Sequence, residues 1–400
     1  MARTRPMLLA VMLLTTLLAG QAAAQTPFAL RNMGQRLVTD DARMTARGGW
    51  GMAVTDSLNP GFKNLASLTS LHHLVLKFTG YGDRIDSSDG QSERMNSRVM
   101  APDVRLACPV VKGRIGATVG LVSYRSTQYH TYADTLWGTV WDDEISGNNQ
   151  YDRVGSRVRV PLGGAVAPLK FLRFSGAYNL EGGSKKETVN NFFTSPGGRS
   201  GPAYQPNVKE TYDEFEGHSW TWGVLLDPFD WIQLGASWTP AHRIEVDRKV
   251  SHFGVSARYE TSFTTEMPDE YMAGIQLRPF GRLRLGADAQ YMPFSEFEGP
   301  SEIMSEMEDE YALSAGIERV AGQKRRGGLS NLPLRLGVSV KRWAYTVGGQ
   351  PVEERTISFG TGFSFRQHLG ALDVGFSYSE IGDLAENGME STVYRLTLSV

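Results

Sequence analysis

Thr392-Val-Tyr-Arg-Leu-Thr-Leu-Ser-Val400 alternates at every step. Tyr394, Leu396, Leu398 and Val400 fall on one face of an extended chain, and Arg395, Thr397 and Ser399 on the other. No tail follows. A strand in that place exposes a row of unpaired N–H and C=O groups unless another strand takes them up. The expectation is a sheet that closes on itself, with this strand pairing to the first one.

Runs of the same period recur upstream. Leu334, Leu336, Val338 and Val340 oppose Arg335, Gly337, Ser339 and Lys341. Ile357, Phe359, Phe363 and Phe365 oppose Ser358, Gly360, Gly362 and Ser364, and Leu372, Val374, Phe376 and Tyr378 oppose Asp373, Gly375, Ser377 and Ser379. Ile232 to Trp238 and Leu283 to Tyr291 repeat the pattern. One face is apolar, and the other is small, polar or charged. About fourteen such strands can be counted, an even number as closure of an up-and-down barrel prefers. They lie near 72–80, 97–108, 113–128, 150–167, 170–182, 212–227, 230–247, 255–279, 282–296, 308–320, 331–345, 353–366, 369–381 and 389–400. The stretch 242–270 reads either as two extra strands or as one long strand pair projecting beyond the membrane.

The connections sort by parity. Those after even-numbered strands are short: Pro109-Val-Val-Lys112, Pro168-Leu169, Asp227-Pro-Phe229, Pro279-Phe-Gly281 and Arg366-Gln-His368, with a longer basic one from Gly322 to Ser330. The other set is long and polar: Gly82–Asn96, Thr131–Asn149, Gly183–Thr211 and the acidic Glu296–Glu310. Short turns at one end and long loops at the other are the mark of a transmembrane barrel with its final strand running to the periplasm. Tryptophans and tyrosines near strand ends, among them Trp220, Trp222, Trp238 and Tyr291, fit interfacial girdles. The fold class is therefore all-β, a transmembrane antiparallel up-and-down barrel.

Composition agrees with this reading without demanding it. A hydrophobic content of 41% would suit a soluble chain, but only alternate residues of a spanning strand face lipid. The length could hold two or three domains, yet no linker divides it. A net charge of −2 with scattered Lys and Arg gives no footprint for nucleic acid. Cys108 is the single cysteine, so no internal disulfide can form. At the amino terminus Arg3 and Arg5 precede an apolar run from Met7 to Leu18, then Ala22-Ala-Ala24. That is a cleaved secretory signal over 1–24, and with the barrel it places the protein in a Gram-negative-type outer membrane among lipid and lipopolysaccharide.

Residues 25–71 do not alternate, and the barrel proper spans 72–400. The amino-terminal stretch carries Gly48, Gly49, Asp56, Asn59 and Pro60, and its economical place is the lumen, as a plug. Here the chain resembles a family. Gly48-Gly-x-x-x-Ala-Val-x-Asp56, then Asn59-Pro60 and Leu65-Ala-x-Leu68, look like the amino-terminal region of the FadL-type outer-membrane transporters and the related PorV-like barrels. Gly223 to Trp238 and Asp269 to Gly286 are similar to that family's strand–turn–strand units. Gly61 stands where the family's Asn-Pro-Ala motif has Ala. The resemblance implies a fourteen-stranded barrel blocked by an amino-terminal hatch. It also implies diffusive uptake of fatty-acid-like hydrophobic small molecules, partly through a side opening in the wall. The alternative is a PorV-like barrel that binds or scaffolds another envelope protein.

Residues suited to chemistry are few. Seven histidines show no metal-ligand spacing, no cofactor motif is present, and His218-Ser219 are adjacent on a strand and so point to opposite faces. The expectation is a non-enzyme without metal or cofactor. The acidic stretch from Glu296 to Glu310 reads as a solvated loop before it reads as a Ca²⁺ site. Arg157, Arg159, Arg173, Arg284, Asp288, Arg335 and Lys341 occupy the polar faces of their runs. On lipid each would cost about 2–4 kcal/mol near the midplane. They should therefore line the lumen, paired with plug carboxylates such as Asp40, Asp41 or Asp56, or holding a substrate carboxylate.

Overall fold

Arg335, Asp373 and Glu318 are only 2–3% exposed, whereas Leu336 is 58%, Phe359 53% and Leu396 47% exposed. Charges inside and hydrocarbon outside invert the water-soluble pattern, and a bilayer is the solvent that makes the inversion favourable. The structure, a computed structural model, describes residues 28, 35–37, 41–57, 60–140, 143–194, 207–252, 255–296, 307–322, 332–365 and 370–400. The signal sequence, Asp40 and Asn59 lie outside the described residues.

Fourteen antiparallel strands form the wall. They are β1 Val75–Ser88, β2 Glu93–Val111, β3 in two segments Ile115–Ser126 and Tyr129–Val140, β4 Asp143–Leu169, and β5 Leu172–Thr194. Next come β6 Asn207–Phe229, β7 as Ile232–Thr239 and His242–His252, β8 as Val255–Met267 and Glu270–Phe280, and β9 Leu283–Met292. The circuit is completed by β10 Glu310–Arg319, β11 Leu334–Val347, β12 Gln350–Phe365, β13 Gly370–Ile381 and β14 Glu390–Ser399. Each of the fourteen sequence runs is found. The barrel closes between β14 and β1, from Glu390↔Ser88 to Ser399↔Thr79, and Val400 and Phe78 exchange backbone hydrogen bonds at 3.0 and 2.9 Å.

One open alternative is decided and one expectation needs revision. Of the two readings of 242–270, the long strand pair holds and the extra strands do not. β7 and β8 are long partners, each interrupted at a proline, Pro240 and Pro268, where a ladder N–H is missing. The polar stretches 82–96, 131–149 and 183–211, read as loops, are strand over most of their described residues, while 297–306 of the acidic stretch lie outside the described residues. β1 and β2 run on to a turn over 89–92, and β4 reaches 27 residues, more than twice the ~10 a bilayer needs. Beyond the lipid neither face of a strand is greasy, so hydrophobic alternation vanishes while the ladder continues. Polar cross-strand pairs hold it there: Arg153 Nη2 to Glu187 at 2.5 Å, and Asp213 between Lys185 and Arg248, both at 2.7 Å.

The amino-terminal segment packs inside the barrel. Asp41 caps a short helix α1, Ala42–Ala46, by accepting from Met44 N at 2.7 Å, and the Ala42 N–H donates to Ser399 Oγ on β14 at 2.8 Å. Asn64 caps a 3₁₀ turn, Leu65–Ser70, and its amide donates to the Val224 carbonyl of β6 at 2.9 Å. Leu65, Leu68 and Leu71 are buried with Phe62 against the wall alanines Ala107, Ala165 and Ala177. Trp50 is fully buried, its ring over the inward Gly286, with the Arg47 guanidinium 4.3 Å from its centroid. The close fit depends on glycine on both sides. Gly48 has φ +79, and a Cβ there would meet Val338 N at 2.6 Å, while a Cβ on Gly337 would lie 2.0 Å from the Arg47 carbonyl carbon.

Candidate functional site

The polar lumen is organised around carboxylates of the wall. Glu318 accepts from Arg335 Nε at 2.8 Å and from Arg47 Nη1 at 3.1 Å, with Arg284 3.7 Å away. Asp373 takes Arg335 Nη1 at 3.0 Å and Arg43 Nε at 2.8 Å. Asp288 accepts from the N–H groups of Gly51 and Met52 at 2.8 and 3.0 Å, with Lys63 Nζ 3.2 Å away. Arg157 and Arg159 meet at Glu181, Arg173 pairs with Asp227, and Lys341 lies 3.5 Å from Glu310. All seven charges singled out from the sequence thus face inward.

Their partners differ from expectation. Wall cations are matched mainly by wall carboxylates, and the amino-terminal segment contributes cations: Arg36, Arg43, Arg47 and Lys63. Asp56 pairs with Arg43 of its own segment at 2.7 Å. Asp41 pairs with Lys77 of β1, a residue outside the expected set. Pro60 is buried, and a methyl on Gly61 would sit 3.5 Å from the Gly51 carbonyl, an ordinary contact. The Gly-for-Ala departure therefore leaves this turn room for either residue.

Between the segment and β2–β9 lies an interior cavity of about 140 Å³. Phe62, Leu65, Val122, Met267, Met272 and Met292 give it apolar walls. Arg36, Lys63, Arg105, Arg125 and Arg159 also reach it, with Glu270 the single acidic lining residue among the described ones. Met267 and Met292 continue into an apolar cluster further along the lumen, with Ile244, Val246 and Phe294.

The wall is broken beside this cavity. β2 and β3 are laddered from Val111↔Ile115 up to Asp103↔Val122, and among the described residues no ladder pair joins them beyond that point. From there β3 turns inward. Val122, Tyr124, Arg125, Ser126 and Thr127 are all buried, on both faces of the strand. The edge freed by the turn is taken by the amino-terminal segment. Gln35 and Arg36 pair with Ser126 and Arg125, and Leu37 N donates to Tyr124 O at 2.9 Å. Val122, Tyr124, Arg125 and Arg36 also line the cavity.

The barrel as a whole superposes on solved structures. A Pseudomonas aeruginosa FadL homologue superposes with a TM-score of 0.61 at 13% identity, covering 91% of this chain and 98% of its own. The Pseudomonas putida toluene transporter TodX gives 0.57 at 15% identity over 91% and 98%. The Ralstonia pickettii toluene transporter TbuX gives 0.56 at 13% over 93% and 98%. The chain has the FadL-type fold. No protein-family model and no curated protein matches the sequence.

Sequence reading missed the bend in this FadL-type wall, although a signal for it exists. On β3, Ile115, Val119 and Leu121 point to lipid. Continuing that phase would put Ser123, Arg125 and Thr127 on lipid and Val122 and Tyr124 in the lumen. The hydrophobic phase inverts, and Arg125 on lipid would cost about 2–4 kcal/mol. Turning the strand inward removes that cost. Ser219 and His218 do diverge: Ser219 Oγ donates to Glu181 at 2.8 Å inside, while the His218 ring lies 5.8 Å from Tyr178.

Proposed function

We propose that the protein is an outer-membrane channel for diffusive uptake of small hydrophobic molecules, exported by the 1–24 signal and blocked along its axis by the 25–71 plug. The observation that carries this reading is the coincidence of the interior cavity with the broken β2–β3 seam. A barrel that served only as a wall would gain nothing by turning this end of one strand inward. On this reading the turn sets one end of a partly apolar cavity beside the interrupted β2–β3 ladder, and that interruption is the exit toward the membrane. A hydrophobic solute can leave by that gap without crossing water, which a straight aqueous pore cannot offer. The methionine-rich continuation toward Phe294 supplies an adaptable apolar approach.

At about 140 Å³ the cavity matches the ~150 Å³ that admits benzene in an engineered apolar cavity. The solute is therefore ring-sized, and a long alkyl chain exceeds the space as it stands. Solved barrels of this fold named as toluene transporters agree with that size. The test is uptake of radiolabelled toluene by cells lacking and re-expressing the gene, alongside the variant Met272→Glu. Uptake should require the gene and fall at least tenfold in the variant while the barrel still folds. Equal uptake with and without the gene sinks the proposal.

A further inference from the structure

A second, smaller cavity lies beside the Asp213–Lys185 pair that holds the hairpins beyond the lipid. It measures about 20 Å³ and is lined by β3 to β8 in turn. Arg125 and Thr127 come from the inward-turned strand, and Arg157, Lys185, Asp213 and Thr265 from the wall around it. Thr127 Oγ1, Arg157 Nε and Thr265 Oγ1 have no hydrogen-bond partner among the described residues, although these residues are only 6%, 3% and 1% exposed. Unmet polar groups are rare inside proteins, and three around one space point to an occupant.

Positive charge is in excess there. Arg125, Arg157 and Lys185 line the cavity, and Asp213 is the single acidic lining residue among the described ones. Asp213 is already met by Lys185 Nζ at 2.7 Å and by Arg248 through Nε at 2.7 Å and Nη2 at 3.1 Å. Glu181, 3.3 Å from Arg157 Nη2, also serves Arg159. Glu310, whose charge acts on Arg125, is shared with Arg36 and Lys341. Burial pulls the Lys185 ammonium below its ordinary range even with Asp213 beside it. Cations held out of water need compensating negative charge, so an anion suits the space. Its size suits a monatomic one. A water needs about 10–15 Å³ measured in this way, and a carboxylate or phosphate exceeds what is left. A water would also have to find acceptors for its own two O–H groups among neighbours that mostly donate, whereas a halide only accepts.

We propose that this cavity binds a single chloride ion, held by Arg157 Nε, Lys185 and the hydroxyls of Thr127 and Thr265, and that the ion fastens the bent end of β3 to the wall. Thr127 is where the inward-turned strand already touches β4, its N–H donating to the Gly155 carbonyl at 3.0 Å. Arg125 lines this cavity and the larger one alike. The ion therefore braces a residue of the solute path without meeting the solute. The site stands whether or not the channel passes toluene.

The first measurement is anomalous diffraction at the bromine edge, from crystals of the detergent-purified full chain grown with bromide as the only halide. One anomalous peak is expected in the cavity, against Arg157 Nε. The second is thermal unfolding of the same protein in chloride and in gluconate at equal ionic strength, gluconate being too large for the space. Chloride should raise the midpoint by about 3 °C or more, and the rise should saturate. Thr127→Val combined with Thr265→Val keeps the shape and removes two donors, so its midpoint should be the same in both salts. Absence of a bromide peak from the cavity overturns the proposal, as does a parent midpoint that is equal in chloride and gluconate. A chloride effect that survives intact in the double variant also overturns it, because the ion then acts elsewhere. The two parent measurements decide the matter even where the double variant fails to fold.

Discussion

The seam that closes the barrel is locked by one carboxylate between two guanidiniums. Arg395 on β14, Asp83 on β1 and Arg98 on β2 are directly opposite one another in consecutive ladders. Arg395 donates to Asp83 through Nε at 2.7 Å and Nη2 at 2.9 Å, and Arg98 through Nε at 2.8 Å and Nη2 at 2.7 Å. The Asp83 side chain is wholly buried, and Tyr81 underlies both cations, its ring centroid 4.2 Å from Arg395 and 5.7 Å from Arg98. Asp83→Asn keeps the shape and removes the charge, leaving two guanidiniums facing each other out of water. Breaking a buried pair in this way costs about 3–5 kcal/mol. The measurement is equilibrium denaturant unfolding in phospholipid vesicles, read by tryptophan fluorescence.

Two further variants make the argument decisive. Asp83→Leu combined with Arg98→Met and Arg395→Met removes all three charges, and should recover to within about 1–2 kcal/mol of the parent, because an apolar set tolerates burial where a half-broken pair does not. Arg84→Gln breaks a pair on the neighbouring residue that is 61% exposed on the arginine side, so its effect stays under about 1 kcal/mol. A loss below about 1 kcal/mol for Asp83→Asn, or a triple variant as weak as the single one, refutes the claim that this cluster closes the seam.

The docking of the amino-terminal segment gives two more expectations. Gly337→Val places side-chain carbon on the backbone of Arg47 and Gly48, where a Cβ has only 2.0–2.1 Å. The segment must lift, so single-channel conductance in planar bilayers rises, whereas Gly82→Ala, with neighbours at 3.8 Å or more, leaves conductance unchanged. Acidification tests the Asp41–Lys77 pair. Burial alone would raise the Asp41 carboxyl, but the Lys77 ammonium and the Met44 N–H hold it below the ordinary carboxylate range. A depressed folded-state value means the stabilisation is full above the ordinary value of ~3.9 and is lost as pH falls through the folded one. Conductance should therefore stay flat from pH 7 to about 4 and rise only below, while Lys77→Met moves that rise to higher pH.

The wall was legible because lipid writes its own period into the chain. Leu334 to Val340 and Tyr394 to Val400 had to alternate, and the glycines interleaved at 337, 360 and 375 mark where the inner segment lies against wall backbone. The extramembrane hairpins were illegible for the complementary reason. Glu187, Lys185 and Asp213 stand in strands whose two faces both meet water or one another, so no hydrophobic period remains to read. The charge pairing was half legible. Sequence can say that Arg335 must avoid lipid, but its partners Glu318 and Asp373 are set by ladder register, which long loops conceal. The bend in β3 lies between these cases. Apolar residues alternate on both sides of the bend, Val119 and Leu121 before it and Val122 and Tyr124 after it, and only the adjacent Leu121-Val122 breaks the pattern, so a search for period finds a strand and misses that it has turned. Placing Arg125 on the lipid side of that strand, and asking what that placement would cost in a bilayer, locates the break in the wall from sequence. The cavity beside it cannot be found that way, because Phe62, Met272 and Arg159 come from elements more than fifty residues apart. Only the closed barrel brings them together.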